Sequence, residues 1–84
     1  MKILADVCNY TRKHTVALLD GKKVISEMNV PIDEVEPAIE AYVNGNSEVD
    51  EVLLMGGQTI AQKYKDDLSK ATCFDKKDIK ITIL

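Results

Sequence analysis

The sequence predicts one α/β domain built on a mixed five-stranded sheet, with element order β-β-β-α-β-α-β and strands in the spatial order 3-2-1-4-5. Three observations carry that expectation. Three short segments, at residues 2–8, 15–20 and 49–55, are apolar on both alternating faces, as interior strands are. The apolar period changes from two to 3.6 residues after Pro31 and again after Gly57. Asp20-Gly21 stands between two strand-like runs, which is a strong short-range hairpin signal.

Taken in order, Lys2–Cys8 (Lys-Ile-Leu-Ala-Asp-Val-Cys) reads as an interior strand interrupted only by Asp6. Asn9–His14 is polar and reads as a loop. Thr15–Asp20 is the second strand, and Asp20-Gly21 predicts a type I′ turn with both central residues at positive φ. Lys23–Val30 returns as an amphipathic strand, with Val24, Met28 and Val30 on one face and Lys23, Ile25, Glu27 and Asn29 on the other. Beyond Pro31, the spacing of Val35, Ala38, Ile39, Tyr42 and Val43 predicts a helix that begins near Pro37 and stops at Gly45.

Val49–Met55 is the fourth strand, closed by Gly56-Gly57. Ile60, Ala61, Tyr64, Leu68 and Ala71 mark a second helix, Cys73–Lys77 a turn, and Asp78–Leu84 a last strand with Ile79, Ile81 and Ile83 on one face. Amphipathic strands suit edges, so strands three and five are placed outermost and strand three is antiparallel at its edge. Right-handed crossovers then complete the order 3-2-1-4-5.

Composition narrows the function classes. The 84 residues carry 11 Lys+Arg against 14 Asp+Glu, a net charge of −3, with 45% hydrophobic and 30% charged residues. That is an ordinary globular balance. It argues against broad nucleic-acid binding, because the chain has no Arg-rich segment. No apolar run approaches the roughly 20 residues of a membrane helix, and Asp6 interrupts the opening apolar stretch where a signal peptide would continue. Cys8 and Cys73 lack C-x-x-C spacing and read as reduced thiols, so the expected location is cytoplasmic. With only Tyr10, Tyr42, Tyr64 and Phe74 as aromatics, the core must be aliphatic, leaving little room for a deep pocket.

The element order, with two local motifs, resembles the ribonuclease H-like fold of actin-like ATPases and several nucleases. Ile3-Leu4-Ala5-Asp6, followed by Thr15-Val16-Ala17-Leu18-Leu19-Asp20-Gly21, is similar to the first hairpin of the actin-like ATPases. Asp50-Glu51-Val52-Leu53-Leu54-Met55-Gly56-Gly57 entering a helix is similar to their adenosine-contacting segment. The resemblance implies an acidic residue, here Asp6, facing a phosphate-bound metal, and a nucleotide near Gly56 and Gly57.

The departures weigh against that catalysis. The loop Asn9-Tyr10-Thr11-Arg12-Lys13-His14 contains no glycine to wrap phosphate, and the fourth strand ends in Met55 where a nuclease would place an acid. The family's last helix, which usually supplies a further carboxylate, would begin after Leu84.

Candidate sites follow. Asp6 reads either as a ligand for a divalent ion, helped by Thr11 or Thr15, or as a rim carboxylate that accepts a bond from Asn9, Lys13 or a loop amide. Asn9, Tyr10, Arg12, Lys13 and His14 form the one locally basic stretch. It reads as a docking loop or as a plain solvated one. Gly56 and Gly57 offer amides at a helix start or serve a tight turn. Asp33, Glu34 and Glu36 read as charge complementing a helix amino end, and Asp66-Asp67 as a solvated face beside lysines.

The expected function is that of a non-enzymatic binding or regulatory domain, of the accessory kind carried by mobile elements. It needs no cofactor, and its partner is another protein or a second copy of itself. The alternatives are a nucleotide-binding half-domain that dimerises and uses Mg²⁺ with nucleotide, and a metal-dependent nuclease using Asp6.

Overall fold

A computed structural model describes residues 1–8, 13–70 and 78–84. The strands are β1 (Lys2–Asp6), β2 (His14–Asp20), β3 (Lys23–Val30), β4 (Glu51–Met55) and β5 (Lys80–Ile83). The helices are α1 (Val35–Gly45), entered through a 3-10 turn at Ile32–Glu34, and α2 (Gln58–Ser69). The strands form one mixed sheet in the order β3-β2-β1-β4-β5, as the sequence predicts. β3 is antiparallel to its neighbour β2, and β2 is the strand that opposes the other four.

Register and chirality settle where the helices go. β3 and β4 point the same way, so β3-α1-β4 and β4-α2-β5 are both crossovers between parallel strands, and both step across the sheet in the same direction. Right-handed crossovers of that kind place both helices on the same face. The core agrees. Ile3, Ala5, Val16, Leu18, Val52 and Leu54 of the sheet are buried together with Val35, Ile39, Tyr42 and Val43 of α1 and Ala61 and Leu68 of α2. A buried aliphatic side chain of this kind contributes about 1.5–3 kcal/mol of transfer free energy. Ser26 of β3 also reaches this layer, where its hydroxyl lies 2.9 Å from the Tyr42 hydroxyl.

Four local expectations are corrected. The hairpin turns on Gly21-Lys22, since Asp20 pairs with Lys23, and only Gly21 (φ 63°) is left-handed. This is the type II′ arrangement rather than I′, because a single glycine in the first central position suffices. The register slips between Leu18 and Leu19, and Ile25 is the extra residue in β3. That bulge reverses the facing of the residues before it. Val24 therefore lies opposite Leu19 and is 50% exposed, rather than sharing the inner face with Met28 and Val30.

The regular helix α1 begins at Val35, with Pro37 in its first turn, where a missing N–H costs no intrahelical bond. The fourth correction concerns His14, which opens β2 and is 2% exposed, so it is not a loop surface residue. Asn9, Tyr10, Thr11, Arg12 and the Cys73–Lys77 turn lie outside the described residues. Among the described residues, no helix is long and apolar enough to cross a membrane.

Candidate functional site

Two regions concentrate the predicted residues: the carboxyl ends of β1 and β4, and the sheet face that the helices leave uncovered.

At the carboxyl ends, parallel pairing sets Asp6 beside Met55. The chain stays in register one step further, where the Val7 amide donates to the Met55 carbonyl at 2.8 Å. The Asp6 carboxylate accepts the Cys8 amide at 2.9 Å, closing a local turn. Asp6 thus takes the rim position, accepting a bond from a loop amide. The buried His14 ring is anchored to the same residue, its Nδ1 lying 3.0 Å from the Asp6 carbonyl oxygen. A carbonyl can only accept, so Nδ1 carries the hydrogen. Lys13 precedes it on the exposed surface.

Gly56 (φ 132°) lies against this turn, and a Cβ there would fall 2.4 Å from the Cys8 nitrogen. The first glycine is therefore explained by backbone close approach. Gly57 (φ 122°) caps α2, and its carbonyl accepts the Ala61 amide at 2.9 Å. The structure thus brings Asp6, Cys8, His14, Gly56 and Gly57 to one end of the sheet, where internal packing occupies Asp6 and Gly56. Among the described residues, no group of three or more His, Cys, Asp or Glu side chains is placed to hold a metal ion.

The opposite face has a different character. Alternation puts Lys2, Leu4 and Asp6 of β1 outward, since Ile3 and Ala5 point into the core. Pairing extends that face across the sheet. Leu19 and Ala17 lie beside Lys2 and Leu4, and Glu51, Leu53 and Met55 lie on the other side, with Lys80 and Thr82 beyond them. Among the described residues no helix covers it. Leu4, Leu19 and Leu53 are only half-buried, and Met55 is 39% exposed.

A polar ladder stands at the amino end of this face. Lys2 Nζ donates to Glu51 Oε1 at 2.5 Å, and Thr82 Oγ1 donates to Oε2 at 2.6 Å. Lys2's bond, then Thr82's, hold the Glu51 carboxyl below its ordinary pKa, and the same bond to Glu51 raises the Lys2 ammonium.

Between the helices the sequence reading missed a contact. Burial and the neighbouring Asp67 carboxylate raise the pKa of Glu36, and burial followed by the Glu36 charge raises that of the Tyr64 phenol. The Tyr64 hydroxyl donates to the Ile32 carbonyl at 3.1 Å. Asp67 is exposed, as the sequence predicts, and it is also near enough to Glu36 on α1 for its charge to act there. The missed signal was Asp67 lying three residues after Tyr64 and one before Leu68, beside the helix's buried stripe. A shallow depression of about 260 Å³, lined by Met1, Gly45, Asn46, Ser47 and Glu48, lies at the opposite end of the sheet from Asp6. Its wall is tied internally, with the Met1 ammonium donating to the Glu48 carbonyl at 2.8 Å.

No family model, curated protein or solved structure matches this chain.

Proposed function

We propose that this chain is a non-enzymatic binding domain on a ribonuclease H-like sheet, and that it binds through the face its helices leave uncovered. The observation behind this reading is the apolar centre of that face, Leu4, Leu19, Leu53 and Met55, on strands whose other side is fully packed. Sheets containing parallel strands are ordinarily covered on both faces, because their residues are apolar in both directions. An uncovered apolar patch on a folded domain marks a contact surface. The strand order 3-2-1-4-5 and the element order support the ribonuclease H-like part of the reading.

Nucleotide binding beside Asp6 and Gly56 receives less support. The carboxylate accepts the Cys8 amide, and the glycine is accounted for by backbone packing.

Retention of proteins from a lysate by the immobilised chain, compared between wild type, Met55→Glu and a helix-layer control, Glu40→Lys, tests the proposal. Specific retention should be lost with Met55→Glu and kept with Glu40→Lys. Equal retention by all three would place the binding surface elsewhere. Chemical-shift perturbation at Asp6 and Gly56 by millimolar Mg·ATP would instead favour the nucleotide reading.

A further inference from the structure

The last turn of α1 holds a chemically fragile pair. The chain has four asparagines, Asn9, Asn29, Asn44 and Asn46, and only Asn44 is followed by glycine. Asparagine is lost when the main-chain nitrogen of the next residue attacks its side-chain carbonyl carbon, so a following residue without a side chain leaves it most open. Asn29 and Asn46 are both hindered. Asn29 precedes the branched Val30 in a paired strand, and its side chain accepts the Thr15 hydroxyl at 2.8 Å. Asn46 donates its side-chain amide to the Tyr42 carbonyl at 2.9 Å. Asn44 and Gly45, by contrast, are both exposed, and nothing lies within 4 Å of where a Gly45 Cβ would stand. Among the described residues the Asn44 side chain has no hydrogen-bond partner.

We propose that Asn44-Gly45 is a site of spontaneous covalent modification, at which Asn44 deamidates through a cyclic imide to aspartate and isoaspartate. The inference is independent of the binding-face reading. The Gly45 nitrogen, its proton taken by hydroxide, bonds to Cγ of Asn44. The Cγ–Nδ2 bond breaks and that nitrogen leaves as ammonia. Water then opens the ring. Opening at Cγ restores the ordinary main chain with aspartate at position 44. Opening at the main-chain carbonyl leaves Gly45 joined through Cγ, which is isoaspartate. Water enters, ammonia leaves, and nothing is oxidised or reduced.

The fold sets the rate. Gly45 is the last residue of α1, and helical pairing gives its N–H to the Ala41 carbonyl. Attack therefore waits for the last turn to open, and helix ends open at little cost in free energy. This end is weakly held. Glycine is a poor helix former, no basic side chain in the last turn offsets the dipole, and Asn46 has already left the helix with φ −138° and ψ 101°. The Asn46 bond to the Tyr42 carbonyl is what helps to close the turn.

The product acts on its surroundings. A carboxylate at position 44 takes the net charge from −3 to −4 and stands at the negative end of the helix. Isoaspartate adds a main-chain carbon, which breaks the spacing of the helical hydrogen bonds and keeps the last turn open. That turn runs on into Asn46, Ser47 and Glu48, the wall of the depression to which the Met1 ammonium is tied.

Incubation of the folded full chain at pH 8, followed by peptide mapping with mass spectrometry, tests this. Expected are two products at residue 44, equal in mass and separate in elution, each heavier than the parent by the exchange of NH2 for OH. An isoaspartyl methyltransferase should label one of them. Asn29 and Asn46 should stay intact over the same period. Gly45→Ala, which has room for its methyl group, should slow the reaction about tenfold or more. Asn46→Ala, which loses the bond to Tyr42, should speed it about threefold.

Asn44 that survives in the folded chain overturns the proposal, and its reaction in urea alone would assign that protection to a last turn that stays shut. Reaction at Asn29 or Asn46 ahead of Asn44 overturns it as well, as does a Gly45→Ala chain that reacts as fast as wild type.

Discussion

Gly56 sits so close to Cys8 that a methyl group in place of its hydrogen would lie 2.4 Å from the Cys8 nitrogen and 2.8 Å from its Cα. Both neighbours are backbone, held in place by the Val7–Met55 and Cys8–Asp6 hydrogen bonds, so neither can swing aside. Gly56→Ala should therefore cost about 1–3 kcal/mol or more, combining the clash with the positive φ. Gly57→Ala shares the positive φ but meets nothing within 4 Å, and should cost less. Urea unfolding of the two variants checks the order, and equal losses would mean that close approach contributes nothing.

The His14 ring ties the start of β2 to the end of β1 through the Asp6 carbonyl. His14→Phe keeps a ring in the buried position but removes the donor. Loss of a partner for a half-buried carbonyl costs about 1–3 kcal/mol. Chemical denaturation measures the loss, and amide exchange at Val7 and Cys8 should accelerate with it. A fully stable Phe variant would show that the ring acts by packing alone.

Glu51 gives the sheet a defined response to pH. Its folded pKa lies below the ordinary 4.5, so its contribution is present above that value and is lost as pH falls through the folded pKa. Lys2 has the opposite sense. Its pKa is raised above 10.5, so its contribution is present below 10.5 and lost as pH rises through the folded value. Glu51→Gln should flatten the acid limb of a stability–pH profile, removing up to about one proton of uptake on unfolding. An unchanged acid limb would show that the ladder does not couple to folding.

Glu36 behaves in the reverse way to Glu51. Burial and Asp67 raise its pKa, so the folded chain binds that proton more readily than the unfolded chain, and ionised Glu36 opposes folding at neutral pH. The penalty is full above the folded pKa and relieved as pH falls below it. Much of the side chain is solvated, so screening keeps the effect small. Glu36→Gln should stabilise by about 0.2–0.5 kcal/mol at pH 7, the scale of a like-charge helix pair such as Glu36–Glu40. The advantage should shrink on acidification. Thermal melts at pH 7 and pH 4 check both statements, and a destabilised Gln variant would contradict them.

Much of the fold was legible because apolar period is a local property. Val52-Leu53-Leu54-Met55 announces an interior strand, and Ile60, Ala61, Tyr64 and Leu68 announce a helix, whatever surrounds them. Handedness then orders the strands without further information. The site was less legible. Asp6 was found as an anomaly in an apolar strand, but its bond to the Cys8 amide depends on how the chain turns after Val7. His14 looked like loop polarity because nothing nearby in sequence reveals that the Asp6 carbonyl waits eight residues upstream. Glu36 and Asp67 lie 31 positions apart, and their meeting follows from how two helices settle side by side.

The sequence by itself determined the element order, the strand order and the single aliphatic core, since these follow from periodicity, chirality and the chemistry of each segment. Only the tertiary structure decided which face of the doubly apolar strands is covered. Both crossovers step in one direction and, being right-handed, stack both helices on the same side. That leaves Leu4, Leu19, Leu53 and Met55 as surface, although the sequence of β1, β2 and β4 reads as if they were buried on both sides.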